Sequence, residues 1–168
     1  MDKYYYFVAQ LPLLAFNREA PVAETYFLEE ARKWLSTKDY SVLSQVNTAD
    51  IDVSIKRHRV VDEYRYFESN VRHDLAGWRK ARRLNQDYKP TFLPPALLKE
   101  GNPLEIETKL LQIRWNFIEE RIQGHHFDLG FLILYYLKLQ ILSRLATFNK
   151  EKGMEKFKKL YEVNNGSE

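Results

Sequence analysis

Read for the spacing of apolar positions, the chain is helical from end to end, with one ambiguous stretch at the start. Tyr4 to Leu14 mixes aromatic and β-branched residues without a clear period and is closed by Pro12, so strand, extended arm and short helix all remain open there. After Pro21, a good first-turn residue, Val22, Tyr26, Phe27, Ala31, Trp34 and Leu35 recur at threes and fours, and Ser36 with Asp39 can cap a further turn through Tyr40 and Leu43. Two short helices are expected, then a loop over Asn47 to Asp52, rich in side chains that bond their own backbone. From Ser54 to Leu84 the steps between Val60, Tyr64, Phe67, Val71, Leu75 and Trp78 are all three or four, with charges on the other faces, which predicts one amphipathic helix roughly 45 Å long at about 1.5 Å per residue. Gly77 inside it costs about 1 kcal/mol against alanine, so it is expected to serve close packing.

YKPTFLPPALLKEGNP then predicts an elbow over residues 89–103. Beyond the helix-start residue Pro103, two apolar stripes share one helix to Ile122: Ile106, Leu110, Ile113 and Phe117 form one, and Leu111, Trp115, Ile118 and Ile122 the other. Such a helix touches two neighbours. Glu107, Arg114 and Arg121 fall between the stripes, while Glu119 and Glu120 read as a wet face, and Gly124 is expected to close the helix as a C-cap. Asp128 can cap a last helix to about Phe148 that is apolar nearly all round, with Lys138, Gln140 and Arg144 as polar exceptions. Its uninterrupted apolar run, Leu129 to Leu137, is nine residues, against about 20 for a spanning helix, so it is expected to be unable to cross a bilayer and to lie at the centre of a core or, on one face, at a partner site.

The fold class expected is therefore all-α: a bundle with long amphipathic helices in a single unit over 1–168, with an N-terminal half (1–88), the Pro-rich elbow (89–103), a C-terminal half (104–163) and a disordered tail (164–168). At 168 residues and 45% hydrophobic content the chain can bury a proper core. With no cysteine there is no disulfide framework and no thiolate chemistry, and the opening carries no secretory pattern, so a cytoplasmic setting is expected.

Charge changes the picture only locally. The net charge is +3, yet residues 54–90 hold ten Lys or Arg (Lys56, Arg57, Arg59, Arg65, Arg72, Arg79, Lys80, Arg82, Arg83, Lys89) against five acids (Asp62, Glu63, Glu68, Asp74, Asp87). The run WRKARR at 78–83 can hold phosphates, which makes a nucleic-acid-binding module over 72–89 the alternative reading; a solvated helix end is the plainer one. His125 and His126 are adjacent and diverge, so a metal site, with Asp128 as a nearby ligand, needs partners from elsewhere, and packing and capping explain them more simply. No phosphate loop, dinucleotide fingerprint, nucleophile elbow or zinc-protease motif is present, so no enzyme, cofactor or small-molecule substrate is expected. Arg114, between two buried stripes, must be paired, by Glu107 or by an acid on a facing helix; it is read as an ion-pair residue first and a partner contact second.

Three stretches together resemble a known family: YYYFVAQLPLL at 4–14, FESNVRHDLAGWRKAR at 67–82, and NPLEIETKLLQIRWNFIEERIQGHHFDLGFLILYYLKLQIL at 102–142. It is an uncharacterised bacterial family, a domain of unknown function, whose members are encoded among V-type ATPase subunits. The resemblance implies participation in a V/A-type rotary ATPase, with a role like that of the all-helical C (d) subunit that seats the rotor shaft on the membrane ring. A reduced version of that subunit, a stalk accessory and an assembly factor are the forms it allows. It implies other ATPase subunits as partners, a cytoplasmic location peripheral to the inner membrane, and no nucleic acid. Candidate contacts are the aromatic opening Tyr4, Tyr5 and Tyr6, the basic face Arg79, Arg82 and Arg83, and Arg114.

Overall fold

A computed structural model describes residues 4–49, 58–99 and 101–165, and places seven helices and no strand among them. They are α1 (Tyr5–Gln10), α2 (Glu24–Trp34), α3 (Thr37–Ser44), α4 (Arg59–Arg83), α5 (Pro95–Lys99), α6 (Pro103–Ile122) and α7 (Leu129–Asn165). The all-α expectation holds, and the ambiguous opening resolves as a short helix. Ser54 to Arg57 of the expected long helix, and the end of the expected 47–52 loop, lie outside the described residues.

The architecture is α7 with the other helices laid around it: α2, α3, α4 and α6 all pack on it. Leu132, Ile133, Leu134, Leu137, Leu139 and Ile141 have no solvent exposure. Burial of each such side chain stabilises by about 1.5–3 kcal/mol, so the apolar girth of α7 organises both halves around one core. Aromatic rings complete the packing: Phe27 of α2 sits between Phe7, Tyr135 and Tyr136 at centroid distances of 5.4–5.6 Å. The expected end near Phe148 is exceeded, since α7 continues to Asn165. By length and composition its Leu129–Glu155 stretch could cross a membrane, and 61% of the most apolar window is buried inside the protein. The nine-residue count understated that run because it stopped at Lys138. That lysine is itself buried, its ammonium paired with Glu119 and 4.4 Å from the centroid of the Trp115 ring. Glu119 is thus not merely a wet face.

Local signals explain the remaining boundaries. Ser36 accepts from the Asp39 N–H at 3.3 Å and opens α3. Asn102 and Glu105 form a reciprocal capping box with Pro103 at the first helical position of α6. At the other end of α4, Asn85 takes a left-handed φ of 51° while Gln86 N–H reaches Ala81 O at 2.9 Å, a Schellman closure. Three expectations shift. Pro21 precedes α2 rather than opening it, with Ala23 at the N-cap. Tyr26 and Trp34 face solvent, leaving Phe27, Ala31 and Leu35 as the buried set. Gly124 follows α6 without a left-handed φ, because the chain closes through short bonds from Gly124 N to Arg121 O and His125 N to Ile122 O.

The elbow is held by one carboxylate. Asp74 of α4 is fully buried and accepts five hydrogen bonds: Oδ1 from the Tyr88 hydroxyl (3.0 Å), Thr91 N–H (3.0 Å) and the Thr91 hydroxyl (3.1 Å), and Oδ2 from the N–H groups of Phe92 and Leu93 (2.7 Å each). Burial by itself would raise its pKa; the backbone donors Leu93, Thr91 and Phe92, with Tyr88, overcome that and hold the carboxyl well below the usual range. Gly77 lets this happen, since a Cβ there would stand 2.5 Å from the Tyr88 ring. The close packing expected of Gly77 is therefore with the elbow.

Candidate functional site

The residues singled out from sequence fall into three places. In the aromatic opening, Tyr4 is corrected: it is 4% exposed, its hydroxyl bonds Asp39 of α3, and its N–H donates to Phe127 O at 3.2 Å. It belongs to the core rather than to a contact surface. Tyr5 and Tyr6 are 48% and 70% exposed, edge to face at 5.5 Å, with Tyr5 against Phe127 at 4.7 Å. Two rings pre-ordered in this way offer contact area at small entropic cost.

Arg114 is also mostly withdrawn. Its Nε and Nη2 reach the two carboxylate oxygens of Glu68 on α4 at 2.9 and 2.8 Å, a bidentate pair with side chains only 12% and 8% exposed. The facing-helix alternative is the one realised. Glu107 instead lies 4.0 Å from Arg144 of α7, and Arg121 lies 3.5 Å from Glu63 of α4. The seven-residue row Glu107, Arg114, Arg121 is thus an ionic seam from α6 to both neighbours. Beside it the Tyr64 hydroxyl is buried, and burial, reinforced by the Glu68 charge and opposed by Arg114, pushes its pKa up. Arg114, Glu107 and Arg144 also line a cleft of about 500 Å³ beside residues 44–49, where Gln140 of α7 pins the loop through Val46 O and Thr48 N–H, both at 2.8 Å.

The basic face is where the sequence put it. Arg79, Lys80, Arg82 and Arg83 are exposed, and among the described residues no acid pairs with them. Elsewhere on α4 the cations are matched: Arg59 with Glu63, Arg65 with Asp62, and Arg72 with Glu68. The negative end of the α4 dipole favours cations in its last turn, by about 0.3–1 kcal/mol each, which accounts for part of the cluster. Arg82 lies over Trp78 with its guanidinium 5.3 Å from the ring centroid.

Two features were missed. Tyr66 (74% exposed) and Phe92 rim a groove of about 470 Å³ between α4 and α6, floored by Phe67 and Phe117, which stack at 4.2 Å. Tyr66 lies off the buried stripe of α4, and that was its available signal. A smaller notch of about 170 Å³ separates the end of α4 from α5 and brings Lys99 to the same mouth as Arg82; only the folded elbow makes that pairing.

The histidines work locally. His125 Nδ1 lies 2.7 Å from Asp128 Oδ2, while Asp128 Oδ1 accepts from Phe131 N–H at 2.8 Å and caps α7. Its ring packs on Gly130, where a Cβ would stand 2.4 Å away. His126 is exposed. Among the described residues no three His, Cys, Asp or Glu side chains are gathered to hold a metal ion. His58 Nδ1 accepts from Val60 N–H at 3.3 Å and caps α4 in its neutral form, consistent with a pKa lowered by burial against the opposing pull of Asp128.

No curated protein and no solved structure matches the chain. The stretches at 4–14 and 67–82 lie outside the family match, which takes in less than half of the chain. Residues 95–165, from the first residue of α5 to the last of α7, are similar to the family described as "Protein of unknown function (DUF2764)".

Proposed function

We propose that this chain is a non-enzymatic component or accessory of a V/A-type rotary ATPase, working by rigid protein contact in the manner of a reduced C/d-like central-stalk subunit. It would lie on the cytoplasmic side, peripheral to the inner membrane through its neighbours. The observation that carries the reading is the combination of motifs from Asn102 to Leu142, which resembles the family encoded with such subunits. The physical arrangement supports it. A stalk part must transmit force without deforming, and here one 37-residue helix takes four others against it, with the elbow clamped by Asp74 and α6 tied to α4 by Glu68 and Arg114. It must also present surface, as the Tyr5–Tyr6 pair and the unpaired cations of α4 do. Tagged chain drawn from detergent-solubilised native membranes at low salt is expected to bring ATPase subunits with it; their absence there overturns the proposal.

A second reading, nucleic-acid binding through residues 72–89, is favoured by those unpaired cations. It predicts affinity that falls steeply with salt and is weakened by Arg82→Ala and Arg83→Ala. Affinity for duplex or single-stranded nucleic acid that is weak and indifferent to both substitutions removes it.

A further inference from the structure

Arg79, Lys80, Arg82 and Arg83 span an arc of about 160° at roughly 100° per residue, on the side of α4 away from the buried Asp74 and Ala81. They are exposed and, among the described residues, unmatched by an acid, whereas the other α4 cations are paired. At the Arg82 edge of the arc lies the notch against the elbow, lined by Trp78, Ala81, Tyr88, Pro95 and Leu98 together with the polar Gln86, and at the other edge lies Leu84, 56% exposed. Arg82 and Lys99 stand at its mouth with one acid, Asp87. A volume of about 170 Å³ suits a single side chain.

We propose that this end of α4 docks an acidic segment of a protein partner, with carboxylates on Arg79, Arg82, Arg83 and Lys99 and one apolar side chain seated in the notch. Charge complementarity selects an anionic partner, and the arginine fork favours carboxylate or phosphate equally. The rings decide between them. Nucleic acid without sequence readout gains affinity by stacking bases on free aromatic faces, whereas here Arg82 covers Trp78, and the Tyr88 ring is packed on Gly77 with its hydroxyl committed to Asp74. A concave notch sized for one side chain likewise offers nothing to a flat lipid surface. This inference rests on the reading of the chain as a protein-binding part and not on which complex it joins.

The test uses the full chain and fluorescence anisotropy with three labelled probes: a Glu-rich peptide with one central leucine, the same peptide with serine in its place, and duplex DNA. The leucine peptide is expected to bind about tenfold or more tighter than the serine peptide, as burial of one apolar side chain implies. Both affinities should fall steeply with salt, and binding should vanish in Arg79→Glu/Arg82→Glu/Arg83→Glu, an exposed triple whose helical circular dichroism should match wild type. Equal binding of the two peptides, DNA tighter than either, or binding retained in the triple variant overturns the proposal. Capturing the wild-type and triple variants from solubilised membranes separates the two readings. ATPase retained by wild type and triple variant alike refutes this site and leaves the functional reading standing, while peptide binding as expected without any co-purifying ATPase does the reverse.

Discussion

Replacing Asp74 by asparagine changes almost no volume and removes one acceptor from a buried site where five donors converge. The amide nitrogen must then face either the Phe92 and Leu93 N–H groups, each 2.7 Å from Oδ2, or the three donors around Oδ1. Leaving a buried N–H unsatisfied costs about 1–3 kcal/mol. Two such groups, one beside a partly exposed residue that water can reach, give a loss of about 3 kcal/mol, a large part of the roughly 5–15 kcal/mol that holds a domain together. Asp74→Ala should cost at least as much. Urea unfolding followed by circular dichroism at neutral pH measures it as a fall in midpoint at constant slope. The pH profile gives a second handle. Because the folded-state pKa of Asp74 is depressed, its contribution is complete above the unfolded value of about 3.9 and is lost as pH falls below that, toward the folded pKa. Wild type should therefore weaken more steeply below about pH 4 than Asp74→Asn. An asparagine variant within about 0.5 kcal/mol of wild type, or one with the same acid limb, would refute the idea that this carboxylate holds the elbow.

Gly77→Ala, which in an ordinary helix interior stabilises by about 1 kcal/mol, should destabilise here by displacing the Tyr88 ring, and its effect should be non-additive with Asp74→Asn in the same urea assay. Glu68→Ala should cost about 3 kcal/mol by stranding the buried Arg114 charge, Arg114→Ala less because Arg72 stays 3.4 Å from Glu68, and the double variant clearly less than the sum; a thermal-melt double-mutant cycle reads the difference. Lys138→Met keeps an apolar stem over Trp115 and removes a buried charge, leaving Glu119, whose side chain is 44% exposed, to be solvated by water, so its melting temperature should match or exceed that of wild type. A marked fall would show that the ion pair stabilises beyond its desolvation.

What the sequence made legible was whatever depends on near neighbours along the chain. The stripe of α4 through Val60, Tyr64, Phe67 and Val71, the Ser36 cap and the Pro103 start all follow from spacing and propensity, and the structure keeps them. What stayed hidden depends on residues brought from afar. Asp74, between His73 and Leu75 in a charge-rich helix, reads as solvent face until residues 88–93 fold back over it. Glu119 reads the same way until Lys138 reaches it across the α6–α7 packing. Tyr4 looks like its neighbours Tyr5 and Tyr6, and only the acceptor on Asp39, thirty-five residues on, draws it inside. The basic face was readable because four cations fall in five residues from Arg79 to Arg83 with no acid among them, whereas the notch beside it exists only once the elbow is closed.

The role proposed for this chain is that of a gripping part of a rotary ATPase. Its most direct measurement is to isolate the enzyme from detergent-solubilised native membranes through a tag on one of its own subunits, pass it through size exclusion at low salt, and quantify this chain by mass spectrometry. A constant ratio to the other subunits across the enzyme peak is predicted; an intact enzyme peak from which the chain is missing contradicts it.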